Sequence, residues 1–196
     1  MKKSIVELLS DDNWDHYSGL PAPSAYEENE EEKEVPPYKI YCDMDGVLTD
    51  FEERFDHFTG MHPQAYEKKH GTPSFWNLID VKIGLRFWSE MNWMPEGQRL
   101  WSFIAPFQPT LLTSPSRDNT SRLGKNTWVK NNLPQSPKVI FAYSKSKQQY
   151  ANENSILIDD KPSNIEEWEA SGGIAIRCKD GNVTPVIKKL KELGYE

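Results

Sequence analysis

Five short runs of apolar residues recur along the chain: Tyr38–Cys42, Pro109–Thr113, Lys138–Ala142, Ser155–Ile158 and Gly173–Arg177. None shows the apolar/polar alternation of a half-exposed strand. Near-continuous apolar runs of this length fit strands buried on both faces of a parallel sheet. Helical stretches separate them at Asn119–Asn131, Asn164–Ser171 and Thr184–Leu193. In the last, Val186, Ile187, Leu190 and Leu193 fall on one face, and Gly194 supplies the stop. Ser163 reads as the N-cap of the helix before Gly172-Gly173. Strand and helix alternating in this way predict a doubly wound α/β fold.

Residues 51–107 break the rhythm. They contain helical stretches and no clear strand, and they are rich in Phe and Trp, including Trp76, Trp88, Trp93 and Trp101. An insertion after the first strand of such a sheet sits over the carboxyl ends of the strands, where these folds bind ligands. The segment is therefore expected to be a small helical cap on a core of residues 37–50 and 108–196. Aromatic-rich helices usually pack on themselves, so most of these rings are expected to form the cap's own core.

Composition changes the picture mainly at the N-terminus. The chain has 196 residues, 37% hydrophobic and 27% charged, with a formal net charge of −7. Residues 1–36 hold 3 basic and 10 acidic residues, and residues 37–196 hold 20 of each sign. The whole excess thus lies in an acidic segment ending at Pro36-Pro37, which reads as a flexible tail suited to contact a basic partner. Within it, Ser4–Leu9 suits one or two helical turns, and Trp14, Tyr17 and Leu20 are candidates to dock on the body. The balance of charge disfavours long nucleic acid as a partner. No apolar run approaches the roughly 20 residues of a membrane span, so no membrane association is expected. Two cysteines, Cys42 and Cys178, form no disulfide framework and no zinc spacing. They read as buried residues of a protein in a reducing, cytoplasmic setting. There is no Walker A motif, no Gly-x-Gly-x-x-Gly after a strand and no Gly-x-Ser-x-Gly elbow.

The chemistry concentrates where two strands end. The first apolar run stops at Asp43-Met44-Asp45-Gly46, and the fourth stops at Asp159-Asp160. Residues i and i+2 of a strand point the same way, so Asp43 and Asp45 should leave the strand end together before Gly46 permits a sharp turn. Carboxylates crowded at a strand mouth repel and need compensation. An all-oxygen set without His or Cys suits Mg²⁺ rather than Zn²⁺. The four histidines, His16, His57, His62 and His70, form no ligand spacing.

These residues resemble the haloacid dehalogenase superfamily of phosphatases over roughly Tyr38 to Arg177. The first motif is Asp43-Met44-Asp45-Gly46-Val47, the second Leu111-Leu112-Thr113-Ser114-Pro115, and the fourth Ile158-Asp159-Asp160. Lys145 and Lys147 both lie where the third motif has its lysine, and Lys147 suits the family spacing better. Within the superfamily the chain is most similar to the 5'(3')-deoxyribonucleotidases. They share the stretch DMDGVL-x-DFE at Asp43–Glu52, a Phe-Trp pair like Phe75-Trp76, a later cap tryptophan like Trp88, and Thr-Ser-Pro at Thr113–Pro115. The acidic tail is not part of that pattern.

The resemblance implies a Mg²⁺-dependent phosphomonoester hydrolase. Asp43 would be the nucleophile, Asp45 the general acid and base, and Thr113 and Lys147 the phosphate-holding groups. Asp43, the backbone carbonyl of Asp45, and Asp160 would hold the metal, with Asp159 beside them. Phe51, Phe75, Trp76 and Trp88 would line a nucleoside pocket. Ser114 and Arg117 are candidates for further phosphate contacts. Two other readings stay open: a phosphatase acting on a different small phosphomonoester or a nucleic-acid end, and a non-catalytic binding protein on the same scaffold. The cap's apolar rings are also able to pair two subunits as a homodimer.

Overall fold

A computed structural model of the chain describes residues 38–196. The expectations for the tail, 1–36, lie outside the described residues. Five strands form one parallel sheet: β1 (Lys39–Cys42), β2 (Thr110–Thr113), β3 (Val139–Phe141), β4 (Ser155–Asp159) and β5 (Ile174–Arg177), in the order β3-β2-β1-β4-β5. All five predicted strands are present, each within a residue or two of its apolar run. Their pairing is in register, with Cys42 opposite Leu111 on one side and Ile158 on the other. Every residue of β2 and β4 is buried, which is why these segments lack alternation.

Helices α6 (Asn119–Asn132), α7 (Pro162–Ala170) and α8 (Thr184–Glu192) connect and follow the strands. The start of α7 corrects the sequence expectation. Pro162 occupies the first turn and Lys161 the cap position, so Ser163 lies inside the helix rather than capping it. Proline suits that first turn because its missing N–H would have had no intrahelical partner. The Lys161 N–H, which begins this turn, is taken by Asp159 Oδ1 at 2.9 Å.

The chain leaves β1 for β2 and β3 on one side, then returns to place β4 and β5 on the other. The strand order therefore reverses between β1 and β4. Open α/β sheets form their ligand crevice at such a point, beyond the carboxyl ends of the two strands. Those ends carry Asp43 and Asp159-Asp160.

The cap is helical, as the sequence suggested: α1 (Phe51–Thr59), α2 (Pro63–His70), α3 (Thr72–Trp76), a π-helix (Asn77–Ile83), α4 (Leu85–Ser89) and α5 (Gly97–Ile104). Phe55, Phe75, Phe87 and Trp88 are buried in it, with Phe55 and Phe75 stacked at 4.9 Å. The cap is seated firmly on α6. A Cβ on Gly124 would lie 2.4 Å from Trp88 Cβ and 2.9 Å from the Leu85 carbonyl oxygen, so only glycine allows α4 and α6 to cross this closely. One turn on, the Trp128 indole donates to the Met91 carbonyl at 2.8 Å, and its ring meets that of Trp93 at 4.8 Å. Among the described residues no helix is long and apolar enough to cross a membrane. Both cysteines are buried and unpaired.

Candidate active site

The loop after β1 separates its two carboxylates. The Asp43 N–H continues the sheet by donating to the Ile158 carbonyl at 2.9 Å. The Met44 carbonyl then accepts from the N–H groups of Leu48 and Thr49, closing a tight turn. Gly46, at φ 78°, is required in it twice over. The left-handed conformation favours glycine, and a Cβ there would lie 2.7 Å from Asp160 Oδ2. The turn sends Asp43 toward Asp159 and Asp160, and Asp45 toward α6.

Asp43, Asp159 and Asp160 each offer an oxygen within 4.8 Å of the others. Among the described residues one cation enters this cluster: Lys147, almost fully buried, lies 2.6 Å from Asp159 Oδ2 and 3.0 Å from Asp43 Oδ2. Burial by itself would lower the lysine's pKa, but Asp43 and Asp159 outweigh it and push the group up to about 12. Asp159 is fully enclosed. Beyond Lys147 it accepts from Asn164 Nδ2 at 2.9 Å and from the Lys161 N–H. Asp160 has less support. Burial, then Asp43 and Asp159, push its pKa up to about 7. Asp43 Oδ1 is buried without any hydrogen-bond partner. Three carboxylates against one ammonium, an orphaned oxygen and a glycine-lined approach beside Asp160 fit a divalent cation held by oxygen. Lys145, the other candidate lysine, is exposed to solvent.

Asp45 has its own cation, which sequence reading missed. Lys125 is wholly buried on α6 and donates to Asp45 Oδ2 at 2.6 Å, Thr113 Oγ1 at 2.8 Å and the Ser114 carbonyl at 2.9 Å. Its ammonium also lies 5.2 Å from the centre of a Trp88 ring. The Thr49 hydroxyl donates to the other oxygen of Asp45 at 3.1 Å. A lysine on a mostly polar helix ordinarily faces water. The available signal was its neighbour, since a glycine in mid-helix often marks a close packing contact.

A cavity of about 800 Å³ opens over both groups. Asp43, Asp45, Ser114 and Asp160 line it from the core; Phe51, Trp76 and Trp88 line it from the cap. Phe75 lies behind, packed against Phe51 and Phe55. Arg117 is exposed and does not line the cavity. Trp76 and Tyr143 present the most open aromatic faces of the lining, at 39% and 50% exposure. Tyr143 follows β3 and was not singled out from sequence. Of the cap histidines, His62 accepts from the Gln64 N–H at the start of α2 and pairs with Glu52.

Neither models of known protein families nor curated proteins match the sequence. Solved structures are similar in backbone. One is a hydrolase from Streptococcus pneumoniae TIGR4, at 16% identity and TM-score 0.45, covering 79% of this chain and 99% of that one. A HAD family enzyme from Bacteroides thetaiotaomicron, solved as a magnesium complex, has 13% identity and TM-score 0.47 over 78% and 98% of the two chains. A HAD family hydrolase from Deinococcus radiodurans R1 with bound phosphate and sodium has 11% identity and TM-score 0.42 over 80% and 89%.

Proposed function

We propose that the protein is a Mg²⁺-dependent phosphomonoester hydrolase of the haloacid dehalogenase type, acting through an aspartyl-phosphate on (deoxy)nucleoside monophosphates. The observation that carries this reading is the division of labour at the end of β1. Two carboxylates two residues apart are given separate lysines, Lys147 for Asp43 and Lys125 for Asp45. A nucleophile and an acid–base group need different surroundings, and this pairing supplies them.

The Asp43 carboxylate attacks phosphorus, and the bond from phosphorus to the leaving oxygen breaks. The Asp45 carboxyl gives that oxygen its proton. Water then attacks the phosphorus of the acyl phosphate and passes a proton to Asp45. The bond to Asp43 breaks, restoring its carboxylate and releasing inorganic phosphate. Lys147 stands against Asp43 and balances the phosphoryl charge as it shifts. Asp159, held by Asn164 and the Lys161 N–H, fixes Lys147 in place. Lys125 and Thr49 orient Asp45; Ser114 lines the cavity on the side proposed for the phosphate, while Thr113 is fully buried behind it and accepts from Lys125. Asp43, Asp160 and the Asp45 carbonyl would hold Mg²⁺, which when bound would supply positive charge to offset the repulsion between nucleophile and phosphate.

The nucleotide assignment rests on the resemblance and on the cavity's aromatic lining. A flat base stacks on such faces with about 1–3 kcal/mol per ring. The test is phosphate release with Mg²⁺ and with EDTA from 5'- and 3'-deoxynucleoside monophosphates, sugar phosphates and 3'-phosphorylated oligonucleotides. Fastest metal-dependent turnover of a mononucleotide is the expected result. Preference for a sugar phosphate or an oligonucleotide end would move the substrate. Release from none of them would favour a binding protein on this scaffold.

A further inference from the structure

One buried carboxylate of the cap takes no part in the chemistry above. Asp80 lies in the π-helix, whose wider turn closes with the Gly84 N–H on the Ile79 carbonyl at 2.8 Å. A π-turn inserts a residue relative to an α-helix and re-aims the side chains around it. Here it accompanies a carboxylate turned inward and buried, with no cation against it among the described residues. Burying a carboxylate without a counter-charge costs several kcal/mol or more unless its hydrogen bonds repay it, so its partners identify what it holds.

The partner of its carboxylate lies across the cavity wall, on the loop after β2 that lines the cavity. The Ser116 hydroxyl donates to Asp80 Oδ1 at 2.8 Å. Ser116 ends the run Thr113-Ser114-Pro115-Ser116, and its own N–H is fixed by Ser121 Oγ at 3.0 Å. Burial pushes the Asp80 pKa up, and the Ser116 hydroxyl and Trp88 indole oppose that rise. The Thr120 hydroxyl adds a longer tie, 3.4 Å, to the Asp80 carbonyl.

We propose that Asp80 is a positioning residue that joins the substrate-facing cap to the phosphate-side loop, fixing Ser116 relative to the cap's π-helix from behind the cavity wall. The role rests on the hydrolase reading for its consequence in catalysis, and on geometry alone for its existence. It gives the enzyme a means of registering the leaving group, read by the cap, against the phosphate, held by the loop. Such registration is worth most for a substrate long enough to touch both.

Two variants separate this from a role in folding. Asp80→Asn keeps a side-chain carbonyl for the Ser116 hydroxyl, and Asp80→Ala removes it. Both are assayed well below their melting temperatures on a deoxynucleoside monophosphate and on glycerol phosphate, which is too short to span the cavity. Asp80→Ala should lower kcat/KM for the nucleotide about tenfold or more and for glycerol phosphate only a few-fold, with Asp80→Asn recovering most of the difference. Equal losses on both substrates, or none, would overturn the proposal. The link is also read without turnover. In urea unfolding, Ser116→Ala should lower the midpoint when Asp80 is present and much less in Asp80→Ala, the coupling expected of two residues in direct contact. Equal shifts in the two backgrounds, or none in either, would refute the link even if no phosphatase activity were found. Absence of activity in the unmodified protein would instead count against the hydrolase reading itself.

Discussion

Replacing Lys147 by methionine tests the electrostatics of the site with little change in its packing. The methionine side chain approximates the lysine stem, so the main loss is the ammonium. That ammonium is 1% exposed and lies 2.6 Å from Asp159 and 3.0 Å from Asp43. Removing one partner of a buried ion pair typically costs about 3–5 kcal/mol, because the remaining charge is left uncompensated. Here two carboxylates lose their cation, and Asp160 stands beside them, so a loss at the upper end of that range is expected in EDTA at pH 7.5. Lys145, being exposed, provides the control. Lys145→Met should change stability by no more than about 0.5 kcal/mol. Urea unfolding followed by fluorescence gives both values. The loss in Lys147→Met should shrink as pH falls, because Asp159 and Asp160, whose pKa values burial raises, then take up protons. Turnover should fall about 10²–10³-fold or more, the scale for removing one preorganised donor at a developing charge. Unchanged stability and activity in Lys147→Met, or loss of turnover in Lys145→Met alone, would refute the placement of Lys147 at the centre of the site.

Asp160 sets the pH dependence of the metal-free protein. A carboxyl raised to about 7 in the folded state binds its proton more tightly than in the unfolded chain. Its contribution is therefore most favourable below the ordinary carboxylate range and is lost as pH rises toward 7. In EDTA, melting temperature should drop between pH 4 and pH 7; Asp160→Asn should flatten that drop, and Mg²⁺ should reverse it. Gly124→Ala gains helix propensity of about 1 kcal/mol but forces its Cβ to within 2.4 Å of Trp88 Cβ and 2.9 Å of the α4 backbone. Overpacking of this kind costs about 1–3 kcal/mol, so the net effect should be a lower melting temperature. Lys125→Met should depress turnover about tenfold or more while leaving Mg²⁺ affinity within a few-fold, because Lys125 supports Asp45 rather than the acidic cluster.

The sheet was legible because burial on both faces leaves a strand almost no polar positions. Tyr38–Cys42 and Ser155–Ile158 stand out for that reason, and the carboxylates that terminate them mark the crevice. The cap was legible as an interruption but not in detail. A π-turn such as Asn77–Ile83 has no distinct hydrophobic period, so nothing in the sequence marks Asp80. Lys125 escaped notice for a related reason. It lies 80 residues from Asp45 in sequence, and only the close crossing at Gly124 brings its helix to the strand end. Phe75 and Trp76 show the limit of adjacency as a guide. They are neighbours in the chain, but one is sealed against Phe55 and the other faces the cavity.

The central claim is that Asp43 carries the phosphoryl group during turnover. Protein mixed with a deoxynucleoside monophosphate and Mg²⁺, quenched in acid during turnover and digested, should yield the Asp43 peptide bearing one phosphoryl group by mass. The label should vanish with EDTA and in Asp43→Asn. Metal-dependent phosphate release with no label at Asp43, or undiminished release from Asp43→Asn, would contradict it.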